Sequence, residues 1–263
     1  VHASGELLSF MRKASIPGLY TPMSVSVLPF DEPLNFGIGG KYSTLAARKA
    51  MCCSDLIIGA GLRFSDRILW EDWSFTPGTE LLCIDSDPIR MGQDLKKGMC
   101  LTGNIKTVLP LLSSFIHRKS RRISAPSEMI SSSLFTIIEE LYPDGIYTVD
   151  AGIQGSLAAK YIKHRKSGRF LTSGGLGILG FGYSAAVGAA LGLGHRILHI
   201  TGDGSFFLNL KEAVTAIDYR IPIISVIFNN RSFQNGYMNG MQQAERLGVR
   251  VYSCGDIEAF RKA

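Results

Sequence analysis

GDGSFFLNLKEAVTAIDYRIPIISVIFNN, Gly202–Asn230, is the stretch that decides how this chain folds. It opens on two glycines around an acid and closes on a doubled asparagine. Between them lie an amphipathic segment and a β-branched apolar run, Ile223–Phe228. That order predicts strand, Gly-rich turn, helix, strand, turn. Asn209 and Glu212 have capping-box spacing, and Leu210, Val214 and Ile217 mark a helical apolar face. The two turns fall at the carboxyl ends of strands, where α/β sheets hold ligands. Asp203 offers a carboxylate there, and Asn230 an amide oxygen with no second negative charge. Mg²⁺ prefers such hard oxygens and commonly joins few protein groups to substrate phosphates. Gly202 and Gly204 permit a tight turn, and the amides around Gly204 and Ser205 suit phosphate oxygens. GDG alone also reads as an ordinary strand-to-helix turn capped by Asp203.

Working outward, short apolar runs alternate with helical stretches in both directions. In the first half, helix Leu45–Cys53 precedes strand Asp55–Ile58. Strands Glu80–Ile84 and Met99–Leu101 and helix Lys106–Phe115 follow. A helical start, Gly5–Ala14, has no strand before it. In the second half, Ser127–Leu141, Gln154–Ile162 and Tyr183–Leu193 read as helices. Gly145–Val149, Arg169–Leu171 and Ile197–Ile200 read as strands. The expected fold class is α/β, two domains, each a mostly parallel sheet flanked by helices. Residues 1–116 form the first, 117–126 a basic, Pro-terminated linker, and 127–263 the second.

The composition narrows the function classes. A net charge of +6 sits largely in HRKSRR (His117–Arg122) and KHRKSGR (Lys163–Arg169). Neither run is interleaved with stacking aromatics, so solvated linker and loop fit better than a nucleic-acid surface. The 5 cysteines form no C-x-x-C pair, which points to a reducing, cytoplasmic setting with most of them buried as small apolar residues. Leu171–Gly194 carries no charge, but glycines break its first half, so a loop feeding a buried helix is expected rather than a membrane span. The chain opens on valine and stops inside an amphipathic stretch, and it reads as a piece of a longer protein.

The Gly202–Asn230 stretch closely resembles the diphosphate segment of thiamine-diphosphate enzymes acting on 2-oxoacids. FLTSGGLGILGFGYSAAVGAALG (Phe170–Gly192) is similar to the thiamine-ring segment of acetolactate synthase large subunits. SDLIIGAGLRFSDR (Ser54–Arg67) and LLCIDSDP (Leu81–Pro88) resemble that family's middle domain. The resemblance covers nearly the whole chain. It implies Mg²⁺ held by the side chains of Asp203 and Asn230 and the carbonyl of Ser232. It also implies diphosphate contacts from Gly202, Gly204, Ser205 and, near them, Gln154. The Gly177 carbonyl and Leu179 amide would pair with the aminopyrimidine, and the Leu179 side chain would prop the cofactor into its bent shape. Arg63, Arg67, Asp85 and Asn104 match positions that contact FAD or substrate. Asp85 in DSDP equally reads as a turn residue, and the two arginines as surface or ion-paired groups. The implied partners are a small 2-oxoacid and further copies of the chain in a homo-oligomer.

Several positions depart from the family. Gln154 stands where a histidine is usual, and Ile153 where a polar residue is usual. The segment after Asn230 lacks the usual tryptophan and is short. In the resembled family the glutamate that activates the cofactor belongs to an N-terminal domain, which here would precede Val1. This chain alone is therefore expected to be inactive, and the catalytic residue is not among those here. Gly175, Gly177 and Gly180 also spell G-x-G-x-x-G, which keeps a Rossmann NAD(P) oxidoreductase open. A non-catalytic module on the same scaffold is a third reading.

Overall fold

The computed structural model describes residues 3–62, 78–87, 98–117, 133–163, 166–229 and 241–249. They fall into two compact units, Val1–Thr21 with Val27–Met129, and Pro22–Ser26 with Ile130–Ala263. Most of the expected linker, and the start of the helix expected from Ser127, lie outside the described residues.

The first unit begins with helix α1, Ser4–Ala14, closed by Ser15 in the left-handed conformation. Strands β1 (Gly18–Tyr20) and β2 (Asn35–Ile38) pair in parallel, a short element the apolar pattern does not predict. Helix α2 (Leu45–Cys53) starts at Thr44, whose Oγ1 accepts from the Ala47 amide at 3.1 Å. Strands β3 (Leu56–Ala60), β4 (Glu80–Asp85) and β5 (Met99–Thr102) then form a parallel sheet in sequential order. Helix α3 (Ile105–Ser114) packs with α1 on this sheet, around buried Phe10, Ile84 and Leu109. Glu32, also buried, takes a 2.6 Å hydrogen bond from Arg12 Nη2. Of the described cysteines only Cys83 is buried, while Cys52, Cys53 and Cys100 are exposed, contrary to expectation. Cys52 and Cys53 end a surface helix and Cys100 lies on an edge strand, positions with no core to enter.

The second unit is a doubly wound sheet. Its strands are β6 (Ile146–Val149), β7 (Phe170–Thr172), β8 (Ile197–Gly202) and β9 (Ile223–Phe228), in the order β7-β6-β8-β9, all parallel. Every residue of β6 and β8 is buried, as a central parallel strand covered on both faces requires. Helices α4 (Ser133–Leu141) and α5 (Ile153–Tyr161) cover one face, with Phe135, Ile138 and Ala158 against Tyr147, Val149 and Ile200. Helices α6 (Phe181–Leu193), α7 (Asp203–Leu208) and α8 (Glu212–Asp218) cover the other, with Ala186, Phe206 and Ala213 against Ile146 and Ile197. The chain leaves β6 toward β7 on one side, and β8 lies on the other. The switch point of the sheet therefore falls between β6 and β8.

One local expectation fails. Asn209 does not cap a helix, because its side chain donates away to the Gly180 carbonyl and α8 starts at Glu212, with Lys211 at the N-cap and no side-chain cap. The buried face of α8 follows Leu210, Ala213 and Ala216, leaving Val214 and Ile217 partly exposed. Small alanines let α8 approach α6 closely, which the larger Val214 and Ile217 would prevent. Among the described residues no helix is long and apolar enough to cross a membrane.

Candidate functional site

The carboxyl ends of β6 and β8 carry the first two walls of the site. After β6, Gly152 turns with φ 135°, and a Cβ there would lie 2.6 Å from the Gln154 amide. That vacancy lets Gln154 fold inward, buried, where Nε2 donates to the Ala151 carbonyl at 3.1 Å. The same amide nitrogen is 3.4 Å from where a Cβ on Gly202 would stand. Gln154 is thus packed on the Gly-rich turn.

After β8, the chain turns at Gly202 into the short helix α7. Asp203 is 2% exposed; its Oδ1 accepts the Gly204 amide at 2.9 Å, and its Oδ2 has no partner among the described residues. The buried Ser205 hydroxyl has none either. An unsatisfied buried polar group costs about 1–3 kcal/mol, more for a charge. Two in one turn at a switch point mark a place built for something else. The donors left bare are hard oxygens, suited to a divalent cation and a phosphate. Among the described residues no group of three His, Cys, Asp or Glu gathers, so an all-protein metal cage is not formed there. One carboxylate suits Mg²⁺ shared with a phosphate. Opposite the turn, Gly202 pairs with Phe228, so β9 ends beside β8 and leads directly to Asn229. Asn230 and Ser232 lie outside the described residues.

The third wall is the loop from β7 to α6. Gly177 and Gly180 have φ of 75° and 81°, conformations that favour glycine. The Gly177 amide donates to the Ser173 carbonyl, and Ser173 Oγ donates to the Ile178 carbonyl at 3.1 Å. The Gly177 carbonyl and Leu179 amide make no hydrogen bond among the described residues. Leu176 is 76% exposed, and Ile178 and Leu179 are half-exposed, so the loop offers bare apolar surface beside free backbone polar groups. Asn209 ties the end of this loop to the end of α7 through Gly180 and Ser184.

Beneath the turn lies a network that the sequence reading missed. Asp150 Oδ1 accepts the Gly182 amide at 2.8 Å, and Oδ2 meets His199 Nε2 at 3.0 Å and the Thr201 hydroxyl at 2.7 Å. All three side chains are fully or almost fully buried. Burial raises the Asp150 pKa, but the hydrogen bonds from His199, Thr201 and Gly182 outweigh it and hold the carboxyl below its ordinary value. The carboxylate can only accept, so His199 Nε2 carries the proton. His199 Nδ1 shares a hydrogen bond with Ser225 Oγ on β9 at 3.1 Å. The signal in the sequence was a histidine and a threonine, His199 and Thr201, inside an otherwise apolar run.

The first unit treats its strand ends differently. Asp85 ends β4 and Asn104 follows β5, with Asp85 paired to Thr102. Asp85 Oδ1 accepts the Asp87 amide at 3.0 Å, and Asn104 Oδ1 caps α3 by accepting the Lys106 amide at 3.0 Å. Arg63 and Arg67 lie outside the described residues.

A parallel sheet whose switch point carries an orphaned acid and hydroxyl, with an exposed apolar loop after the neighbouring strand, defines an α/β protein with a candidate ligand site at its strand ends. The chain belongs to the thiamine pyrophosphate enzymes. Residues 1–112 match their central domain, and residues 150–259 match their C-terminal thiamine-pyrophosphate-binding domain. The chain is 31% identical to a probable acetolactate synthase large subunit of Methanocaldococcus jannaschii, over 94% of this chain and 47% of that protein. It is 29% identical to the acetolactate synthase isozyme 2 large subunit of Escherichia coli, over 86% of this chain and 44% of that one. The chain thus spans about half the length of the curated relatives it matches. In fold it is similar to an X-ray structure from Mycobacterium smegmatis assigned to the thiamin diphosphate-dependent enzymes. The TM-score is 0.71 at 22% identity, covering 87% of this chain and 47% of that one.

Proposed function

We propose that this chain is the middle and diphosphate-binding part of a thiamine-diphosphate- and Mg²⁺-dependent enzyme that decarboxylates a 2-oxoacid and joins the product to a second one, in the manner of acetolactate synthase. The observation that carries this reading is the pair of buried, unpartnered oxygens of Asp203 and Ser205 at the switch point. Thiamine diphosphate, when bound, supplies a carbon nucleophile and an electron sink. Asp203 and Asn230 would hold Mg²⁺ through their side chains, with the Ser232 carbonyl as a third ligand. Ser205, Gln154 and the backbone of Gly202 and Gly204 would meet the diphosphate. The free Gly177 carbonyl and Leu179 amide would pair with the aminopyrimidine edge, and Leu179 would support its bend. The exposed apolar loop at Leu176–Leu179 favours a homo-oligomer, with another subunit or domain excluding water from the ring, and the cysteine usage favours the cytoplasm. Burial there strengthens every polar contact made to the cofactor.

The dinucleotide alternative fits less well. In a Rossmann unit the acid ends the strand next to the Gly-rich one, whereas here β6 lies between β7 and β8. A flavin would meet the carboxyl edge of β4 and β5, at Asp85 and Asn104, with Arg63 and Arg67. The oxygens of Asp85 and Asn104 that cap local turns would then be shared, which makes a flavin the less favoured cofactor.

Calorimetry with thiamine diphosphate tests the reading. Binding is expected with Mg²⁺ and is lost on chelation; binding of NAD without Mg²⁺ would overturn it. The 263-residue chain assayed alone with pyruvate is expected to form no acetolactate, because the activating glutamate would come from a further domain. Product analysis with pyruvate and varied acceptors separates a carboligase from a simple decarboxylase.

A further inference from the structure

Asp150 touches none of the proposed ligand contacts, yet its carboxylate bonds α6, which follows the ring-facing loop, and β8, which leads into the diphosphate turn. Its Oδ1 holds the Gly182 amide, in the first turn of α6, which begins where the ring-facing loop ends. Its Oδ2 holds Thr201, the residue before the Gly202 turn, and His199 on the same strand. His199 passes the connection to Ser225 on β9, the strand that leads to Asn229. Thr201 has a single hydroxyl proton, and the 2.7 Å contact to Asp150 is shorter than the 3.1 Å one to the Gly202 carbonyl.

The packing leaves this carboxylate no room to move. A Cβ on Gly182 would lie 2.5 Å from His199 Nε2 and 3.1 Å from Asp150 Cγ. A Cβ on Gly155 would lie 2.5 Å from the Asp150 carbonyl oxygen, so α5 also sits hard against this residue. The Asp150 amide is fixed in turn by the Ile200 carbonyl at 3.0 Å. Such a buried network, with each polar group partnered, sets distances rather than merely adding stability.

We infer that Asp150 is the positioning residue of the cofactor site: one buried carboxylate sets the spacing between the ring-facing loop and the diphosphate turn. This rests on the thiamine-diphosphate reading above. A cofactor gripped at both ends gains affinity only while the two grips match its length. Loosening the spacing should therefore weaken the whole cofactor and leave the diphosphate end alone.

The test uses the 263-residue chain and two probes with Mg²⁺, thiamine diphosphate and inorganic pyrophosphate. Asp150→Asn keeps shape and can still accept from Gly182, but it leaves Thr201 facing an amide donor. The ratio of the two dissociation constants is the readout. In Asp150→Asn, thiamine diphosphate should weaken about tenfold or more while pyrophosphate stays within about twofold. Thr201→Val removes one bond at constant volume and should give a smaller shift of the same sign, which serves if Asp150→Asn does not fold. An unchanged ratio in the folded variants, with a lower melting temperature only, overturns the positioning role and leaves the cofactor reading standing. If the unmutated chain binds neither probe with Mg²⁺, the cofactor reading fails and this inference falls with it.

Discussion

The two units end their parallel strands on the same kind of residue and use it in opposite ways. In the first, Asp85 and Asn104 turn their oxygens back on the Asp87 and Lys106 amides, and the strand ends are closed locally. In the second, Asp203 spends one oxygen on its neighbour Gly204 and leaves the other, with Ser205 Oγ, buried and bare. The first arrangement stabilises the fold. The second costs stability, and a native chain keeps such a cost where a ligand repays it. Sheet order explains which edge is which. Among the described residues the sequential β3-β4-β5 sheet has no reversal of strand order, whereas β7-β6-β8-β9 has one between β6 and β8. Among the described residues two further buried hydroxyls lack a partner, Ser43 Oγ in the first unit and Thr148 Oγ1 in the second, but Ser43 precedes α2 and Thr148 lies inside β6, so neither stands after a strand end.

The largest effect is expected where the second unit is fully satisfied. Asp150→Ala strips His199, Thr201 and Gly182 of their acceptor, and breaking a buried pair this way costs about 3–5 kcal/mol of stability. Urea denaturation measures it. The same carboxyl carries a pH signature. Its folded pKa lies below the ordinary 3.8, so the unfolded chain binds the proton more readily in acid. The stabilisation is full above about pH 4 and is lost as pH falls through the folded value. Asp150→Asn should flatten that acid limb; an unaltered limb would mean that other carboxylates set it.

Asp203 should invert that pattern. Asp203→Ala is expected to abolish the Mg²⁺-dependent part of thiamine diphosphate binding, a loss of about a hundredfold or ~2.7 kcal/mol. Apo stability should stay level or rise, because an unpaired buried oxygen disappears. A variant that binds normally, or that loses as much stability as Asp150→Ala, would erase the contrast between the two acids. Gly182→Ala comes next. Its Cβ would press on His199 and Asp150, neither of which has a flexible end to swing aside, so about 1–3 kcal/mol is expected from thermal melting.

Much of this was legible in the residues. The β-branched run Ile223–Phe228 is the observed β9 without change, and the apolar runs before Asp85 and Asp203 are strands within a residue or two of their expected ends. Gln154 packs inward against the Gly202 turn, where a Cβ on Gly152 would crowd its amide, and its proposed diphosphate contact came from the family resemblance rather than from any local pattern. What the sequence hid were long-range choices. Asn209 has a capping-box partner nearby, yet tertiary structure offered it the Gly180 carbonyl instead. Asp150 follows β6 while His199 and Thr201 lie on β8, 49 and 51 positions further on, and nothing local in sequence tells which apolar-run polar residues will meet. Strands β1 and β2 are too short and too rich in glycine for any period to register.

The smallest effect returns to the first unit. Asn104 is exposed, and its one structural task among the described residues is to accept the Lys106 amide at the start of α3. Asn104→Ala removes that bond and leaves the amide to water, so a loss of about 1 kcal/mol is expected from denaturant midpoints. The thiamine diphosphate titration should be unmoved, since the residue caps a helix in the other unit. A flavin titration on the same variant sharpens the comparison. If Asn104 only caps α3, any flavin affinity of the chain is the same in both proteins. If the first strand edge is also a ligand edge, flavin affinity falls with the cap. The two edges would then differ in how a side chain divides its work between turn and ligand, rather than in whether a ligand comes at all.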